Sequence, residues 1–381
     1  MSVTVVHPSE LGPSELDRWR ALQRAVPALG NPFLAPEFTV AVGRLRPQAR
    51  VAVLSEGSRI VGFFPFERRA LGHGVPIAAG LTDAQGLVHE PGLEWDAREL
   101  LRACGLATWE FDHLVDGQSP FAPFQTFHAA SPVMDLGDGY AGYLAGLGDR
   151  APGLVKDVGR KQRRLERDAG EVEFELDSRD PGVLPTLMAW KSAQYQRTGR
   201  VDRFASPWIV ALVEQLLDTR TGGFSGVLAV LRAGGTPVAG HVLLRLDGVL
   251  AGWFPAYDTS FYRCSPGTVT RLRMAEAAAA DGVTRIEMGR GAKAYKETFK
   301  SYDLFVAEGR VTRASPAAAL HWMRRAPVRR LRQMVVTDPQ LYVVADRVLK
   351  GYARARSAFR HRSPEPPPAP PSMQRPAEQA G

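Results

Sequence analysis

Apolar and polar positions divide the middle of the chain into a regular series of predicted elements. Residues 183–197 repeat apolar side chains with the period of a helix, and Gly199 marks its end. Three apolar runs follow, separated by Gly-Gly at 234–235 and by Asp247-Gly248, dipeptides typical of tight hairpins. The predicted strands of this antiparallel meander are 227–232, 237–246 and 249–257.

A helix and two further strands are predicted after the meander. Ser265-Pro266 supplies an N-cap and a proline at the first helical position, for a helix that runs to Asp281. Apolar residues then indicate a short strand over 284–288 and a last strand over 302–307. A meander joined to a strand–helix–strand crossover makes a mixed sheet, so the predicted fold class is α+β.

The same hairpin pattern occurs earlier in the chain. Residues 51–62 (VAVLSEGSRIVG) and 228–239 (LAVLRAGGTPVA) align without gaps at an offset of 177, with five identical residues. Duplication of one α/β domain would produce an offset near half of the ordered length, although two unrelated hairpins can share this composition. We therefore predict two related domains, 1–133 and 134–312.

The net positive charge lies near the C-terminus. The 381 residues include 48 Lys and Arg against 40 Asp and Glu, a net charge of +8. Residues 313–362 alone carry 12 basic and two acidic side chains, so the rest of the chain is close to neutral. This distribution argues against a nucleic-acid-binding body. We predict basic helices over 316–361 and a disordered, proline-rich tail over 363–381.

Several common enzyme signatures are absent from the sequence. It contains no Walker A motif, no dinucleotide-binding glycine motif, no His-Glu-x-x-His and no Gly-x-Ser-x-Gly. Cys104 and Cys264 are 160 positions apart, which excludes a cysteine-rich zinc site and fits a reducing compartment. No apolar run reaches 18 residues, and the N-terminus lacks a secretory signal pattern. We therefore expect a cytoplasmic protein without a metal.

The start of the helix after the meander is a candidate anion site. The backbone amides of Gly267, Thr268 and Val269 are expected to point out of its first turn, where the helix dipole favours negative charge. Ser265 and Arg263 would lie beside them. Most helix starts bind nothing, so an ordinary capped helix stays an open alternative.

A strand that leads into a glycine-rich loop is a second candidate. Glu287 is followed by Gly-x-Gly at 289–291 and then by Tyr295-Lys296. Glycines let the backbone approach a ligand closely, and loops hold function more often than strands do. The alternative is a flexible connection that carries a surface lysine.

One histidine and two aromatic residues on neighbouring strands complete the candidates. His241 lies in an apolar strand, and its counterpart in the first repeat is Phe64, which favours the second domain as the active one. Trp253 and Tyr257 are four residues apart on the next strand and share one face. All three could equally belong to the core.

Together these motifs resemble a known family. Residues 188–299 are similar to the acetyltransferases grouped with the cellulose-biosynthesis protein CelD (CelD/BcsL), a branch of the GNAT superfamily close to the FemAB peptidyltransferases. The first domain looks like the degenerate N-terminal GNAT copy of this group, and Asn31-Pro32-Phe33 fits its opening. The motifs that carry the resemblance are Trp190-Lys191, Gln194-Tyr195, Ala239-Gly240-His241, Trp253, Ala256-Tyr257-Asp258, Ser265-Pro266-Gly267, Glu287-x-Gly289-x-Gly291 and Tyr295-Lys296.

The resemblance implies tandem GNAT-like domains and acetyl-CoA, or another acyl-CoA, as donor. An amine or hydroxyl acceptor would attack the thioester directly in a ternary complex, with the pyrophosphate at the helix start. His241 or Glu287 would be the general base. Lys296, as a mobile cation, would stabilise the oxyanion together with Tyr257 or backbone amides. The predicted substrate-binding residues are Trp190, Lys191, Tyr195, Trp253 and Tyr295.

The acceptor and the partners stay open at this point. A small-molecule, saccharide or lipid-linked acceptor would suit exopolysaccharide or cell-envelope biosynthesis. The basic residues of 316–361 could hold the protein at an anionic inner-membrane surface, or they could be solvated. The alternatives are a FemAB-like transferase that contacts aminoacyl-tRNA through the basic cluster 156–164, and a non-catalytic scaffold in polysaccharide assembly.

Overall fold

The computed structural model describes residues 1–291 and 293–313. The basic helices and the tail predicted from the sequence lie outside the described residues. The helices are α1 (Pro13–Ala25), α2 (Pro36–Leu45), α3 (Ala97–Ala103), α4 (Gly139–Arg150), α5 (Leu154–Ala169), α6 (Val183–Arg197), α7 (Pro207–Asp218), α8 (Pro266–Ala280) and α9 (Ala294–Phe299). The strands are β1 (Ser2–Val6), β2 (Ala49–Glu56), β3 (Arg59–Arg68), β4 (His73–Pro76), β5 (Val88–His89), β6 (Thr108–Leu114), β7 (Gln125–Asp135), β8 (Val172–Glu175), β9 (Arg220–Thr221), β10 (Phe224–Ala233), β11 (Thr236–Leu246), β12 (Val249–Tyr257), β13 (Arg285–Glu287) and β14 (Tyr302–Thr312).

One mixed sheet runs through the N-terminal half (residues 1–135) and the C-terminal half (residues 136–312). Its strand order is β1-β2-β3-β4-β6-β14-β7-β13-β12-β11-β10-β8, with β5 beside β3 and β9 beside β10. The last strand of each half crosses into the other: β7 pairs with β13, and β14 pairs with β6. β7 and β14 also pair with each other at the centre. This mixed sheet with its helices confirms the predicted α+β class.

The repeat found in the sequence is also a repeat of strand register. Ala52 pairs with Phe64 in the first hairpin, and Ala229 pairs with His241 in the second. Each residue of the second pair therefore lies 177 positions after its counterpart in the first pair. A β-bulge interrupts both hairpins at the equivalent step, after Leu54 in the first and 177 positions later in the second. The gap-free sequence alignment therefore joins equivalent structural positions.

The predicted elements of the C-terminal half are found with small differences at their ends. The helix predicted over 183–197 is α6 and the strand predicted over 249–257 is β12, both with the predicted bounds. The last strand extends beyond its predicted end at 307 to Thr312. Its second part pairs with β6 of the other half, a partner that a local pattern does not reveal. The domain boundary predicted at 133/134 falls inside β7, and both domain ranges stay a prediction.

The largest hydrophobic cluster joins the two halves. Trp19 and Phe38 of the N-terminal helices share it with Leu216 of α7 and Phe254 of β12. A second cluster packs α4, α5 and α8 against the other face of the C-terminal sheet, and a third packs α3 in the N-terminal half. Because each Å² of buried apolar surface contributes about 25 cal/mol, the shared cluster fixes one half against the other.

Candidate active site

Strands β12 and β13 run parallel for only three residue pairs and then separate. Their last pair is Ala251 with Glu287; β12 continues to Tyr257, whereas the chain after β13 turns away into the glycine loop. A β-bulge at the separation leaves Trp253 as the extra residue on β12. A Cβ built on Gly267 of α8 would stand 3.9 Å from Tyr257 Cδ1, so the helix start lies beside the wide end of this opening.

Two adjoining cavities occupy the opening. The outer cavity, of about 290 Å³, lies against the start of α8. The inner cavity, of about 260 Å³, extends to the glycine loop and α9. Both cavities share six lining residues, which are Lys191, His241, Pro255, Arg271, Lys293 and Tyr295. The two cavities are therefore continuous.

The first turn of α8 offers fewer free amides than the sequence predicts. Ser265 has a left-handed backbone (φ 46°), and its carbonyl accepts from the amides of Thr268 at 2.8 Å and Val269 at 3.4 Å. The prediction of free amides at these two residues is therefore wrong. Ser265, Gly267 and Thr268 still line the outer cavity, whereas Val269 is buried in the second core cluster.

Positive charge at this helix start comes from Arg271 rather than Arg263. Arg263 lies over Tyr262, 5.7 Å from its ring centroid, and does not line the outer cavity, which corrects its predicted role. Arg271 donates from Nη1 to the Gly267 carbonyl at 2.8 Å and lies 3.7 Å from the Tyr295 ring centroid. Burial lowers the pKa of Arg271, yet an arginine stays charged at neutral pH. The four-residue spacing from Gly267 is the signal that could have revealed it.

Lys191 and Lys293 add charge where the two cavities meet. Lys191 Nζ donates to the Pro255 carbonyl at 2.8 Å. Burial, with a smaller contribution from Lys293, lowers the pKa of Lys191 to about 8. Burial also lowers the pKa of Lys293, assisted by Arg200 and Arg271. The described residues that both cavities share include no Asp or Glu, and cations placed this closely favour an anionic ligand.

Lys296 is buried and fixes the glycine loop. Its Nζ donates to the carbonyls of Gly289 at 2.6 Å and Arg290 at 3.1 Å, and only 5% of the residue is exposed. Burial lowers the pKa of Lys296 to about 8, although the Asp83 carboxylate opposes this shift. The prediction of a mobile cation is therefore wrong. One of the three ammonium hydrogens is left for a ligand in the inner cavity.

Glu287, one of the two predicted bases, is already engaged. Its Oε2 accepts from Asn31 Nδ2 at 2.7 Å and its Oε1 accepts from Arg285 Nε at 2.9 Å. A substrate proton would have to displace one of these bonds, which corrects the assignment of Glu287 as general base. The side chain instead ties the Asn-Pro-Phe segment of the N-terminal half to β13.

His241, the other predicted base, lies where β12 and β13 separate. A Cβ built on Gly252 would stand 3.1 Å from both Cε1 and Nε2 of its ring and 3.5 Å from the Glu287 carbonyl oxygen. Among the described residues its buried Nε2 has no hydrogen-bond partner. Burial, reinforced by three nearby basic side chains, holds the pKa of His241 well below its usual 6.5. The imidazole is therefore neutral at neutral pH.

The predicted aromatic residues divide between the cavities and the core. Tyr195 and Trp253 line the inner cavity, and Tyr295 lines both cavities. Tyr257 lines the outer cavity at its mouth and is 37% exposed. Trp190 packs against the cluster that joins the halves and lines neither cavity, so the structure assigns it to packing rather than to substrate.

A third cavity, of about 470 Å³, lies between the two halves. It shares four lining residues with the inner cavity, which are Asp83, Tyr195, Arg200 and Trp253. The N-terminal half contributes residues 80–83 and His113. Trp253 donates its indole N–H to the Leu81 carbonyl at 2.8 Å and so joins the two sides. Sequence analysis missed this cavity because residues 80–83 form no motif and reach the site only through tertiary packing.

Neither a metal site nor a membrane span is found in the described part of the chain. Residues 1–291 and 293–313 contain no group of three or more His, Cys, Asp or Glu side chains placed to hold a metal ion. Over the same residues, none of the helices combines the length and the apolar character needed to cross a bilayer.

The part of the chain that contains the opening is similar to a known family of domains. Residues 154–297 match the family model of the acetyltransferase (GNAT) domain, from the start of α5 into α9. This range includes the start of α8, the separation of β12 from β13 and all the predicted catalytic residues. A search of curated proteins gave no match.

Solved structures share the fold at low sequence identity. FemX aligns with a TM-score of 0.55 and 11% identity over 81% of this chain and 96% of its own. The C-terminal domain (DUF2156) of an Agrobacterium fabrum protein described as a lysylphosphatidylglycerol synthetase aligns with a TM-score of 0.50 and 15% identity, over 81% and 96%. A tandem GNAT protein of clavulanic acid biosynthesis aligns with a TM-score of 0.45 and 14% identity, over 83% and 99%. At such identities the likeness shows the fold alone.

Proposed function

Because residues 154–297 match the family model of the acetyltransferase (GNAT) domain, we propose that the chain transfers an acyl group from acyl-CoA directly to an acceptor bound beside it. Acetyl-CoA is the proposed donor. The observation that supports this most strongly is the pair of cationic cavities at the separation of β12 and β13, next to the start of α8.

The outer cavity suits the pyrophosphate of CoA. Lys191, Arg271 and Lys293 line it, and its lining residues, all within the described chain, include no Asp or Glu. Arginine and lysine hold phosphate oxygens through charge-assisted hydrogen bonds. The Gly267 amide and the positive end of the α8 dipole add to this attraction. Ser265 and Thr268 keep their proposed place beside the donor.

The inner cavity suits the thioester end of the donor. Beyond Ala251, β12 no longer has β13 as a partner, so its backbone groups on that side face the opening. An extended acyl chain placed there would bring its carbonyl to the region between Gly252 and the glycine loop. Lys296, whose Nζ has one hydrogen left, is proposed to donate to the developing oxyanion. Tyr257 lies at the mouth of the outer cavity and is proposed to contact the donor.

The proposed reaction is direct transfer. The neutral acceptor attacks the thioester carbonyl carbon, and the new bond forms while the carbonyl oxygen becomes an oxyanion. Collapse of this intermediate breaks the C–S bond and releases the CoA thiolate, which takes up a proton from the attacking group. His241, whose Nε2 has no partner among the described residues, is proposed to carry this proton from the attacking group to the thiolate, whereas Glu287 is proposed to fix β13.

Arg271→Gln tests the donor site against a matched control on the same helix. The variant should bind CoA and acetyl-CoA about 10- to 100-fold more weakly, because it loses charged hydrogen bonds to phosphate. Arg273→Gln is the control, since Arg273 bonds to Gln162 at 3.1 Å and Glu276 at 3.0 Å and lines neither cavity. Titration calorimetry measures the affinity of the wild type and of both variants for CoA and acetyl-CoA. Absent binding by the wild type, or equal affinities for all three proteins, would contradict the proposal.

The wider predictions from the sequence stay proposals. The basic cluster 156–164 lies on α5, where Arg160 and Lys161 pair with Asp157 at 2.5 Å and 2.8 Å. Such pairs are typical of a solvated helix face, and a tRNA mobility-shift assay beside the CoA titration tests the aminoacyl-tRNA alternative. Membrane attachment through 316–361 concerns residues outside the described chain. Three further ideas also stay proposals: the CelD/BcsL assignment, a role in exopolysaccharide biosynthesis and a scaffold function.

A further inference from the structure

We propose that the third cavity binds the acceptor, and that this acceptor is a small molecule bearing both a primary amine and an anionic group, carboxylate or phosphate. The inference rests on the proposed function, since it names the second substrate of the same transfer. It depends on three features of the cavity: its position, two arginines that have no partner within the described part of the chain, and one carboxylate.

The position of the third cavity suits an acceptor. It is continuous with the inner cavity, where the acyl group is proposed to lie, through Asp83, Tyr195 and Trp253. The proposed pyrophosphate site lies in the outer cavity, on the other side of the inner one. An acceptor in the third cavity could therefore reach the thioester carbonyl without displacing the donor.

Arg200 and Arg203 are placed to bind an anionic group. Both line the third cavity, and across residues 1–291 and 293–313 neither guanidinium forms a hydrogen bond or an ion pair. A Cβ built on Gly80 would stand 3.4 Å from both terminal nitrogens of Arg203, so this guanidinium lies against bare backbone. The planar fork of an arginine matches a carboxylate or a phosphate better than it matches a neutral group.

Asp83 is placed for an ammonium group. It is the only acid among the described residues that line the third cavity, and it also lines the inner cavity. Its Oδ1 lies 3.5 Å from Nε2 of His113, and its carboxylate packs against Gly289 of the loop that Lys296 fixes. Burial raises the pKa of Asp83, which makes the carboxylate better able to accept a proton.

The spacing of these groups indicates a small acceptor. Arg203 contacts Gly80, and Gly80 is three residues from Asp83 in the chain. A chain of three residues spans roughly 10 Å when fully extended. The backbone at Gly80 and at Asp83 is therefore within roughly 10 Å, which suits an acceptor about the size of an amino acid or an amino-sugar phosphate. Tyr195, Trp253 and Phe254 line the same cavity and supply an aromatic wall.

The proton balance of the step follows from this placement. The bound ammonium gives one proton to the Asp83 carboxylate and becomes a neutral amine. The amine nitrogen forms the C–N bond to the thioester carbon, the C–S bond breaks, and the second proton leaves nitrogen for the CoA thiolate. The products are an amide and CoA thiol, and Asp83 returns its proton to solvent.

The test compares charged amines with their neutral counterparts on the full chain. Release of CoA thiol from acetyl-CoA is followed with three pairs of amines. Each pair has a charged member and its neutral counterpart: glycine and glycinamide, phosphoethanolamine and ethanolamine, and glucosamine 6-phosphate and glucosamine. We expect kcat/KM to be at least about 10-fold higher for one or more charged members than for their neutral partners. Equal or faster turnover of the neutral amines overturns the inference.

Three variants assign the effect to named residues. Arg200→Gln and Arg203→Gln should each raise the acceptor KM about 10- to 100-fold. In Arg203→Gln, whose side chain lines neither the outer nor the inner cavity, the affinity for acetyl-CoA should stay that of the wild type. Asp83→Asn should lower kcat by about 100-fold or more. Arg197→Gln, an exposed arginine at the end of α6 that lines none of the three cavities, is the matched control. Unchanged KM in both arginine variants contradicts the inference.

A binding measurement separates this inference from the proposed function. If the chain binds acetyl-CoA but titration calorimetry detects no charged member of the panel, the acceptor inference fails and the donor proposal stands. If acetyl-CoA itself does not bind, the proposed function fails. Binding of charged members that is lost in Arg203→Gln supports the cavity assignment even where turnover is too slow to measure.

Discussion

A buried lysine, Lys296, and a half-buried one, Lys191, give the site a charge that changes near neutral pH. Lys191 and Lys296 each have a pKa lowered to about 8, chiefly by burial. An unfolded chain keeps lysine protonated up to about pH 10.4. Between about pH 8 and 10.4 the unfolded state thus binds more protons than the folded state, so stability rises with pH in this window. Below pH 8 both lysines are charged at a cost in stability, as expected of a site arranged for an anion.

Lys191→Met should flatten the pH dependence of CoA binding. In the wild type, affinity should fall as the pH rises from 7 to 9.5, because Lys191 loses the charge that attracts the pyrophosphate. At pH 7 the variant should bind CoA about 10-fold more weakly than the wild type. Its affinity should change less than that of the wild type between pH 7 and pH 9.5. Lys161→Met on α5 is the control, since Lys161 pairs with Asp157 outside the cavities. Calorimetry at both pH values that shows the same slope in all three proteins would contradict this role.

At the scale of elements, the opening between β12 and β13 determines where ligands can bind. Local signals predicted the flanking elements well: the period of α6, the turn at Asp247-Gly248 and the proline that begins α8 are all properties of adjacent residues. The separation itself was not predictable, because it depends on the residue at which β13 stops pairing with β12, a strand some 35 positions earlier in the chain. Asp83 was missed for the same reason, since packing of the N-terminal half brings it to the site.

Gly252→Ala should close the opening at its narrow end. The added Cβ would stand 3.1 Å from two atoms of the His241 ring, which is tighter than ordinary contact. We expect acetyl-CoA binding to weaken about 10-fold or more, with a loss of stability of about 1 to 3 kcal/mol from overpacking. Gly159→Ala on α5 is the control, because its Cβ would meet only the flexible end of Arg163 at 3.5 Å. Wild-type affinity in Gly252→Ala would show that the acyl chain does not pass this point.

At the scale of the whole molecule, the exchanged strands and the shared core make the two halves one folding unit. β7 fills the C-terminal part of the sheet, β14 fills the N-terminal part, and the two pair at the centre. The 177-residue repeat was readable in the sequence because both hairpins keep the same register. The exchange was not readable, because pairing across halves leaves no trace in local hydrophobic pattern. The third cavity exists only because both halves contribute to it.

The full chain should therefore unfold in one cooperative transition, and a fragment of residues 1–135 should not fold alone. In that fragment β6 lacks β14, and β7 lacks both of its partners. Unpaired edges of this kind favour aggregation. Urea unfolding of the full chain, followed by far-ultraviolet circular dichroism and tryptophan fluorescence, should give coincident curves. Two separate transitions, or a soluble fragment with native-like dichroism, would contradict the account.

A crystal structure of the full chain with CoA would show whether the opening between β12 and β13 holds acyl-CoA. We expect the pyrophosphate within hydrogen-bond distance of Arg271 and the Gly267 amide, and the thiol end beside Gly252. A competing location is a cavity of about 500 Å³ at the N-terminal part of the sheet, lined by Val75 of β4, Glu110 of β6 and Arg310 of β14. CoA bound in that cavity, or only on the surface of the protein, would contradict this expectation.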